Sequence, residues 1–222
     1  MEYIIRIAPS LLEGTVETLK IFSMTLVLAL PLGLVVSFLS ISKFKPFKWI
    51  ATVYIWVFRG TPLLLQLFFF YYALPIMQPF GLSMRMDRFV AAVVAFVLNY
   101  AAYFSEIYRS GIESVDKGQF EAAYSLSYSK IKTFRYIILP QVFMRIIPPI
   151  SNEVITLVKD TALVISISVP ELLKSASDAA NRDVDSTAYV LAAGIYLSIT
   201  LVLTMLSRIL EKRFSRHERE AI

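Results

Sequence analysis

Five long apolar stretches, at about residues 19–41, 49–74, 89–108, 148–168 and 186–206, constrain this chain more than any other feature. At about 1.5 Å of rise per residue, some 20 apolar residues in a helix cover roughly 30 Å of hydrocarbon, so each stretch is long enough to cross a bilayer. The expected fold is therefore an all-α membrane protein with five transmembrane helices. Of the 222 residues, 57% are hydrophobic and the mean hydropathy is +0.64, too apolar for a soluble globule and too short for a twelve-helix transporter on its own.

The formal charge of +5 would also suit a nucleic-acid binder, but the basic residues lie in the connections between apolar stretches. Lys43, Lys45 and Lys48 follow the first stretch with no acid among them. Arg109, Lys117, Lys130, Lys132 and Arg135 outnumber Glu113, Asp116 and Glu121 after the third. Arg208, Lys212, Arg213, Arg216 and Arg219 outnumber the acids of the tail, whereas the connection at 169–185 carries Glu171, Asp178, Asp183 and Asp185 against Lys174 and Arg182. That alternation follows the positive-inside bias and places the N-terminus outside and the C-terminus in the cytoplasm. The connection at 75–88, with Pro79 and Gly81, then reads as external. Residues 1–18 carry Glu2, Arg6, Pro9, Glu13 and Glu17 without a basic region followed by an apolar one, so the first span is expected to be an uncleaved anchor. With no cysteine and a single histidine, His217 in the charged tail, thiolate and multi-histidine metal sites are excluded, and no metal site is expected. No repeat and no second domain is visible, and residues 1–222 read as one transmembrane domain.

One polar segment, 116–141, interrupts the oily pattern. Asp116 suits a helix N-cap, with Gln119 placed to reach back as in a capping box, so a short helix is expected from Lys117. Phe120, Tyr124 and Tyr128 recur at four-residue spacing and put three rings on one face, with Glu121, Ser125 and Ser129 on others. Pro140 then requires a bend or break. Further on, an approach helix to Ile147 and a membrane helix from Pro148 are expected, followed by a short external helix beginning at Pro170.

Polar groups inside apolar spans are costly unless partnered or facing water. Arg59, Thr61, Pro62 and Gln66 fall within the second span. Arg59 is expected either to bond carbonyls freed near Pro62, to pair with an acid on a neighbouring span, or to meet substrate. Asn99, Ala102 and Glu106 share one face of the third span, where Glu106 either faces cargo or pairs with Arg59 or Arg109. Asp160, beside Lys159 and Thr161, either lines an aqueous cavity or is neutralised by Lys159. Small residues Ala192, Ala193 and Gly194 offer close packing in the fifth span, as Gly33 does in the first. No GxxxxGK[ST] run occurs, so a Walker-type nucleotide site is not expected in this chain.

Several separated blocks carry a resemblance. Glu121-Ala122-Ala123 followed by Ile138-Leu139-Pro140-Gln141 resembles the EAA loop of ABC importer permeases of the polar amino acid uptake family, the histidine/glutamine/arginine type. Arg59-Gly60-Thr61-Pro62-Leu63-Leu64-Leu65-Gln66 is similar to the RGTPLLLQ signature of the same family. NYAAYFSEIYRSG at 99–111 and NEVITLVKDTAL at 152–163 also look like its patterns. Ser127 departs from them, since the family usually has Gly there, a residue that adopts positive φ at little cost. The resemblance spans about residues 12–213 and implies a type I ABC importer permease fold with a coupling helix at about 116–130.

In that family the coupling helix sits in a cleft of a cytoplasmic ATPase. This implies ATPase contact for Asp116, Gly118, Gln119, Glu121, Ala122, Ala123 and Tyr124. It likewise implies a substrate path lined by Gln66, Asn99, Glu106, Asn152, Lys159, Asp160 and Thr161, with Arg59, Thr61 and Pro62 structural. The implied partners are a second permease subunit (the same chain or a different one), two ATP-binding subunits and an extracytoplasmic amino acid-binding protein, in a bacterial plasma membrane. No cofactor is expected in this chain, ATP and Mg belonging to the ATPase. The implied cargo is a polar L-amino acid, a cationic one if Glu106 and Asp160 face the cavity ionised. The rival readings are an ion-gradient transporter or channel subunit, with Glu106 and Asp160 as a relay, and a non-transporting scaffold.

Overall fold

A computed structural model describes residues 2–78 and 84–219, the side chains of 215–219 excepted; Pro79, Gly81 and the His217 side chain lie outside the described residues. The described residues form helices joined by short turns, with no strand among them. The first helix, α1, runs from Glu2 to Ser40 through both Pro9 and Pro31, so the first apolar stretch is the second half of a much longer rod. Helix α5 (Arg88–Glu113) crosses it closely at Gly33. A Cβ at that position would stand 2.8 Å from the Phe104 Cβ and 2.9 Å from the Ala101 carbonyl oxygen, so only glycine permits the approach. Around this crossing Ile21 and Ala29 of α1 and Phe96, Tyr100 and Phe104 of α5 form the main core, joined by Leu157 and Val158 of α8 (Leu139–Asp160).

The second apolar stretch does not form one continuous helix. It divides into α2 (Lys45–Gly60) and a run comprising α3 (Leu63–Phe68), a π-helical turn (Phe69–Ala73) and α4 (Leu74–Met77), with a bend of 105° between the two parts. Pro62 is the cause. It lacks an N–H and its ring disfavours helical backbone at Thr61, which is extended (φ −118°, ψ 145°).

Two other prolines are accommodated differently. Pro75 and Pro140 each stand two residues beyond a π-helical turn, Phe69–Ala73 and Phe134–Ile138. The residue before each proline donates its N–H five residues back, Leu74 to the Phe69 carbonyl and Leu139 to the Phe134 carbonyl. The break expected at Pro140 is thus a widened turn, as helices often insert at such points.

The fourth stretch also differs from expectation. No separate membrane helix starts at Pro148, because α8 runs unbroken through Pro148 and Pro149 to Asp160 and passes into a 3₁₀ turn, Thr161–Ile167. Val142 and Ile146, buried with Val115 and Ile138, pin the helix on the side before the proline pair, and it continues despite the lost donors. The short helix expected from Pro170 begins two residues later, as α9 (Leu172–Asp183), and α10 covers Thr187–Arg219. Among the described residues, α1, α5 and residues Thr187–Phe214 of α10 are long and apolar enough to cross a membrane, and the bent pair makes a fourth crossing if it counts as one. Helix α8, with Arg145, Glu153, Lys159 and Asp160, is not among them.

Candidate functional site

The break at Thr61–Pro62 leaves the last carbonyls of α2 without intrahelical partners, and side chains fill them. The Thr61 hydroxyl donates to the Val57 carbonyl at 2.8 Å. The Gln66 amide reaches the carbonyls of Phe58 (2.9 Å) and Thr61 (3.1 Å) and the Thr61 hydroxyl (2.8 Å). Asn99, from α5, donates to the same Phe58 carbonyl at 3.0 Å and to the Gln66 amide oxygen at 3.1 Å. Gln66 and Asn99 are both buried. Both therefore spend their amide hydrogens on the break, the job the sequence had offered to Arg59.

Arg59 does something else. Its guanidinium lies 3.4 Å from a Glu106 carboxylate oxygen and 5.2 Å from the centre of the Tyr103 ring, which fits the pairing with a neighbouring span. Glu106 is the centre of the cluster, because Arg109 grips both its oxygens (2.9 and 2.8 Å) and also reaches Glu113 at 2.6 Å. Such two-pronged guanidinium–carboxylate contacts are the strong ones. The face shared by Asn99 and Glu106 is real, and it is turned to the broken span.

This cluster stands between two clefts. One of about 560 Å³ separates α2 from α5 and is lined by Lys48, Thr52, Trp56, Arg59, Glu106 and Glu113. The other, of about 500 Å³, shares Arg59, Tyr103, Glu106 and Arg109 and adds Arg145 and Glu153 from α8. Asp160 accepts a hydrogen bond from the Tyr100 hydroxyl at 2.8 Å and forms no ion pair with Lys159. Thr161 is buried and donates to the Val158 carbonyl (2.7 Å), whereas Asn152 and Lys159 are exposed on the outside of this chain. The path residues proposed from sequence are thus divided. Glu106 lines the clefts, Gln66, Asn99 and Thr161 are bonded within the fold, and Asn152 and Lys159 face outward.

The polar segment folds as two short helices, α6 (Lys117–Ser125) and α7 (Lys130–Thr133), so Tyr128 lies in the turn between them and only Phe120 and Tyr124 share the face of one helix. Asp116 caps it through the Gly118 N–H at 2.6 Å, but Gln119 does not close a capping box, since its side chain instead accepts from Gln141 at 3.3 Å. Gln119 is therefore tied to α8 rather than to its own helix start. Ser127 holds the left-handed conformation (φ 57°) that a glycine would adopt freely, and the turn is as tight as a glycine would make it: Tyr128 donates to the Ala123 carbonyl at 3.0 Å. Ala123 is buried against the protein, while Phe120, Glu121, Ala122, Tyr124 and Tyr128 are exposed, Tyr124 to 83%. Arg145 of α8 reaches back to the carbonyl and hydroxyl of Ser114, the residue that ends α5, so α8 is tied to α6 through Gln141–Gln119 and to the end of α5 through Arg145.

Residues 29–216 match the family described as binding-protein-dependent transport system inner membrane component. The chain belongs to this family. It is 42% identical over 211 residues to the arginine transport system permease protein ArtQ of Bacillus subtilis, covering 95% of this chain and 94% of that one. It is 37% identical to the glutamate/aspartate import permease protein GltK of Escherichia coli O157:H7, covering 92% and 93%. A solved structure titled as an amino acid ABC transporter with histidines superposes with a TM-score of 0.86 at 36% identity, covering 95% of this chain and 96% of that one. The inward-facing MetNI methionine ABC transporter shares the fold, at a TM-score of 0.68 and 14% identity. The resemblance carried by the motif blocks holds, and the importer permease reading stands over the gradient-driven one.

Two site features escaped the sequence reading. Glu153 sits seven residues before Asp160, a spacing that puts both acids on one face of α8, and it was passed over inside a stretch noted for its neighbours. Glu171 is fully buried and caps α9 through the Leu173 (2.9 Å) and Lys174 (2.7 Å) N–H groups, while Tyr196 of α10 donates to it at 2.7 Å. Burial pushes the Glu171 carboxyl above its ordinary range, against the pull of the Tyr196 hydroxyl and the two amides. Glutamate is not a favoured N-cap, and Pro170 before it was the only signal. Of the small-residue cluster, Ala192 packs against α1 and α9, while Gly194 has open space where a side chain would stand.

Proposed function

We propose that the chain is one half of the translocation path of an ATP-driven importer for polar amino acids, with a cytoplasmic ATPase docked on α6. The observation that carries this is the uncovered Phe120 and Tyr124 on α6, with Tyr128 exposed just past its end, on a helix fastened to α8 by Gln119–Gln141. A displacement of α6 reaches α8 through that tie, and α8 carries Glu153 into the lining of one cleft. The coupling residues are then Asp116 and Gly118 for the cap, Gln119 for the tie, and Glu121, Ala122 and Tyr124 for the ATPase surface, with Ala123 as the seat.

The clefts suit a zwitterion. Glu106 is held by two arginines, which leaves Glu153 for an ammonium and Arg59 within reach of a carboxylate. The relatives' names span cationic and anionic cargo, so charge of the cargo side chain is a matter for measurement. A second permease subunit completes the path, and an extracytoplasmic binding protein delivers the cargo. The ATP and its Mg belong to the two partner ATPase subunits. Residence is the bacterial plasma membrane, N-terminus outside and C-terminus in the cytoplasm, by the Lys/Arg bias.

Uptake of labelled amino acids into proteoliposomes holding the permease, the ATPase and the binding protein tests the reading. Transport should require ATP inside and fall with Glu121→Ala. Uptake driven by a proton gradient without ATP would overturn it.

A further inference from the structure

An apolar groove of about 650 Å³ runs between the start of α8 and the end of α10, away from the charged clefts. Leu139, Phe143 and Met144 form one wall and Leu210 and Phe214 the other, while the guanidinium groups of Arg135 and Arg213 stand in the same lining. No acid contributes to it, and neither arginine takes part in an ion pair among the described residues. Arg135 rests only against the ring of its neighbour Tyr136, at 5.8 Å.

We infer that this groove holds one anionic phospholipid, an acyl chain lying along the apolar walls and the headgroup phosphate between Arg135 and Arg213. Three observations favour a lipid over a protein. Helix α10 has only 11% of its apolar span buried within the chain, so the groove opens onto the surface that faces the bilayer. The two arginines lie at the end of that span, where the hydrocarbon gives way to headgroups, and a guanidinium matches a phosphate with paired donors. A phospholipid supplies the apolar chain and the negative charge in one molecule, the complement of a groove that has both an oily floor and, among the described residues, two arginines outside any ion pair. The inference rests on the membrane placement argued above and not on the cargo or the ATPase.

The test uses the importer complex purified in detergent, stripped of lipid and given phosphatidylglycerol or phosphatidylcholine before native mass spectrometry. The intact complex should retain phosphatidylglycerol in preference to phosphatidylcholine, and Arg135→Gln with Arg213→Gln should weaken that retention about tenfold or more. Met144→Trp, which fills the groove and leaves both arginines in place, should displace the same lipid. Equal retention of the two lipids by the unaltered complex, or retention unchanged in both variants, would overturn the inference. So would a lipid that appears on the permease alone and is lost when the ATPase binds, which would make the groove a protein contact. A failure here leaves ATP-driven uptake untouched, and a failure of ATP-driven uptake leaves the lipid result readable.

Discussion

Replacing Asn99 by alanine isolates what holds the broken span together. Asn99 makes two hydrogen bonds, to the Phe58 carbonyl and to Gln66, at a site only 5% exposed. Each is worth about 1 kcal/mol net, and the Gln66 oxygen left buried without a donor costs about 1–3 kcal/mol more, so Asn99→Ala should destabilise by about 3–5 kcal/mol. Gln66→Ala should cost a similar amount, since its amide serves Phe58 and Thr61. Because the two side chains share one carbonyl and bond each other, the double variant should cost about 1–3 kcal/mol less than the sum. Unfolding by sodium dodecyl sulfate in mixed micelles, followed by far-ultraviolet circular dichroism, gives all three values. Additive costs, or an Asn99→Ala loss below about 0.5 kcal/mol with a raised KM for uptake, would refute the structural role and make Asn99 a cargo contact.

In the same unfolding assay, Gly33→Ala should lose about 1–3 kcal/mol, because its methyl would meet the Ala101 carbonyl oxygen at 2.9 Å, a backbone atom that cannot swing away. A neutral result would mean that α1 and α5 cross less tightly than described. Ser127→Gly should raise stability by about 1 kcal/mol by removing the cost of a left-handed serine, with a higher midpoint as readout and a lower one as the refuting outcome. Glu171 has a carboxyl raised by burial, so the folded state holds its proton more tightly than the unfolded one. Its contribution is present in acid and is lost as pH rises through the folded-state value. Stability measured upward from about pH 4 should therefore fall less in Glu171→Gln than in the unaltered chain, and parallel profiles would contradict the assignment.

Apolar length and charge alternation made the helices legible, and the cap at Asp116 with the helix from Lys117 was readable from local chemistry alone. The bend at Thr61 was not read, although Pro62 was in view, because the oily run on both sides looked like one span and hydropathy is blind to direction. Which groups would satisfy the freed carbonyls could not be read either, since Asn99 and Phe58 meet only once α5 packs on α2. Pro148 and Pro149 misled in the opposite sense. Two successive prolines argue for a helix start, yet packing at Val142 and Ile146 carried α8 through them. Glu106 was legible as an ion pair because an acid and two arginines within those spans have few other partners. Lys159 and Asp160 were not, because adjacent residues on a helix point about 100° apart and the nearest donor proved to be Tyr100, 60 positions away in sequence.

The chain lacks cysteine, so a single introduced thiol reports one place. Tyr124→Cys, crosslinked by a short bis-maleimide in membranes that contain the assembled importer and an ATPase bearing one cysteine at its permease-facing cleft, tests the docking of α6 most directly. The account predicts a covalent permease–ATPase product whose yield changes when ATP is bound and hydrolysed. Absence of that product, with the Tyr124→Cys thiol modified instead by a membrane-impermeant reagent added outside intact cells, would contradict it.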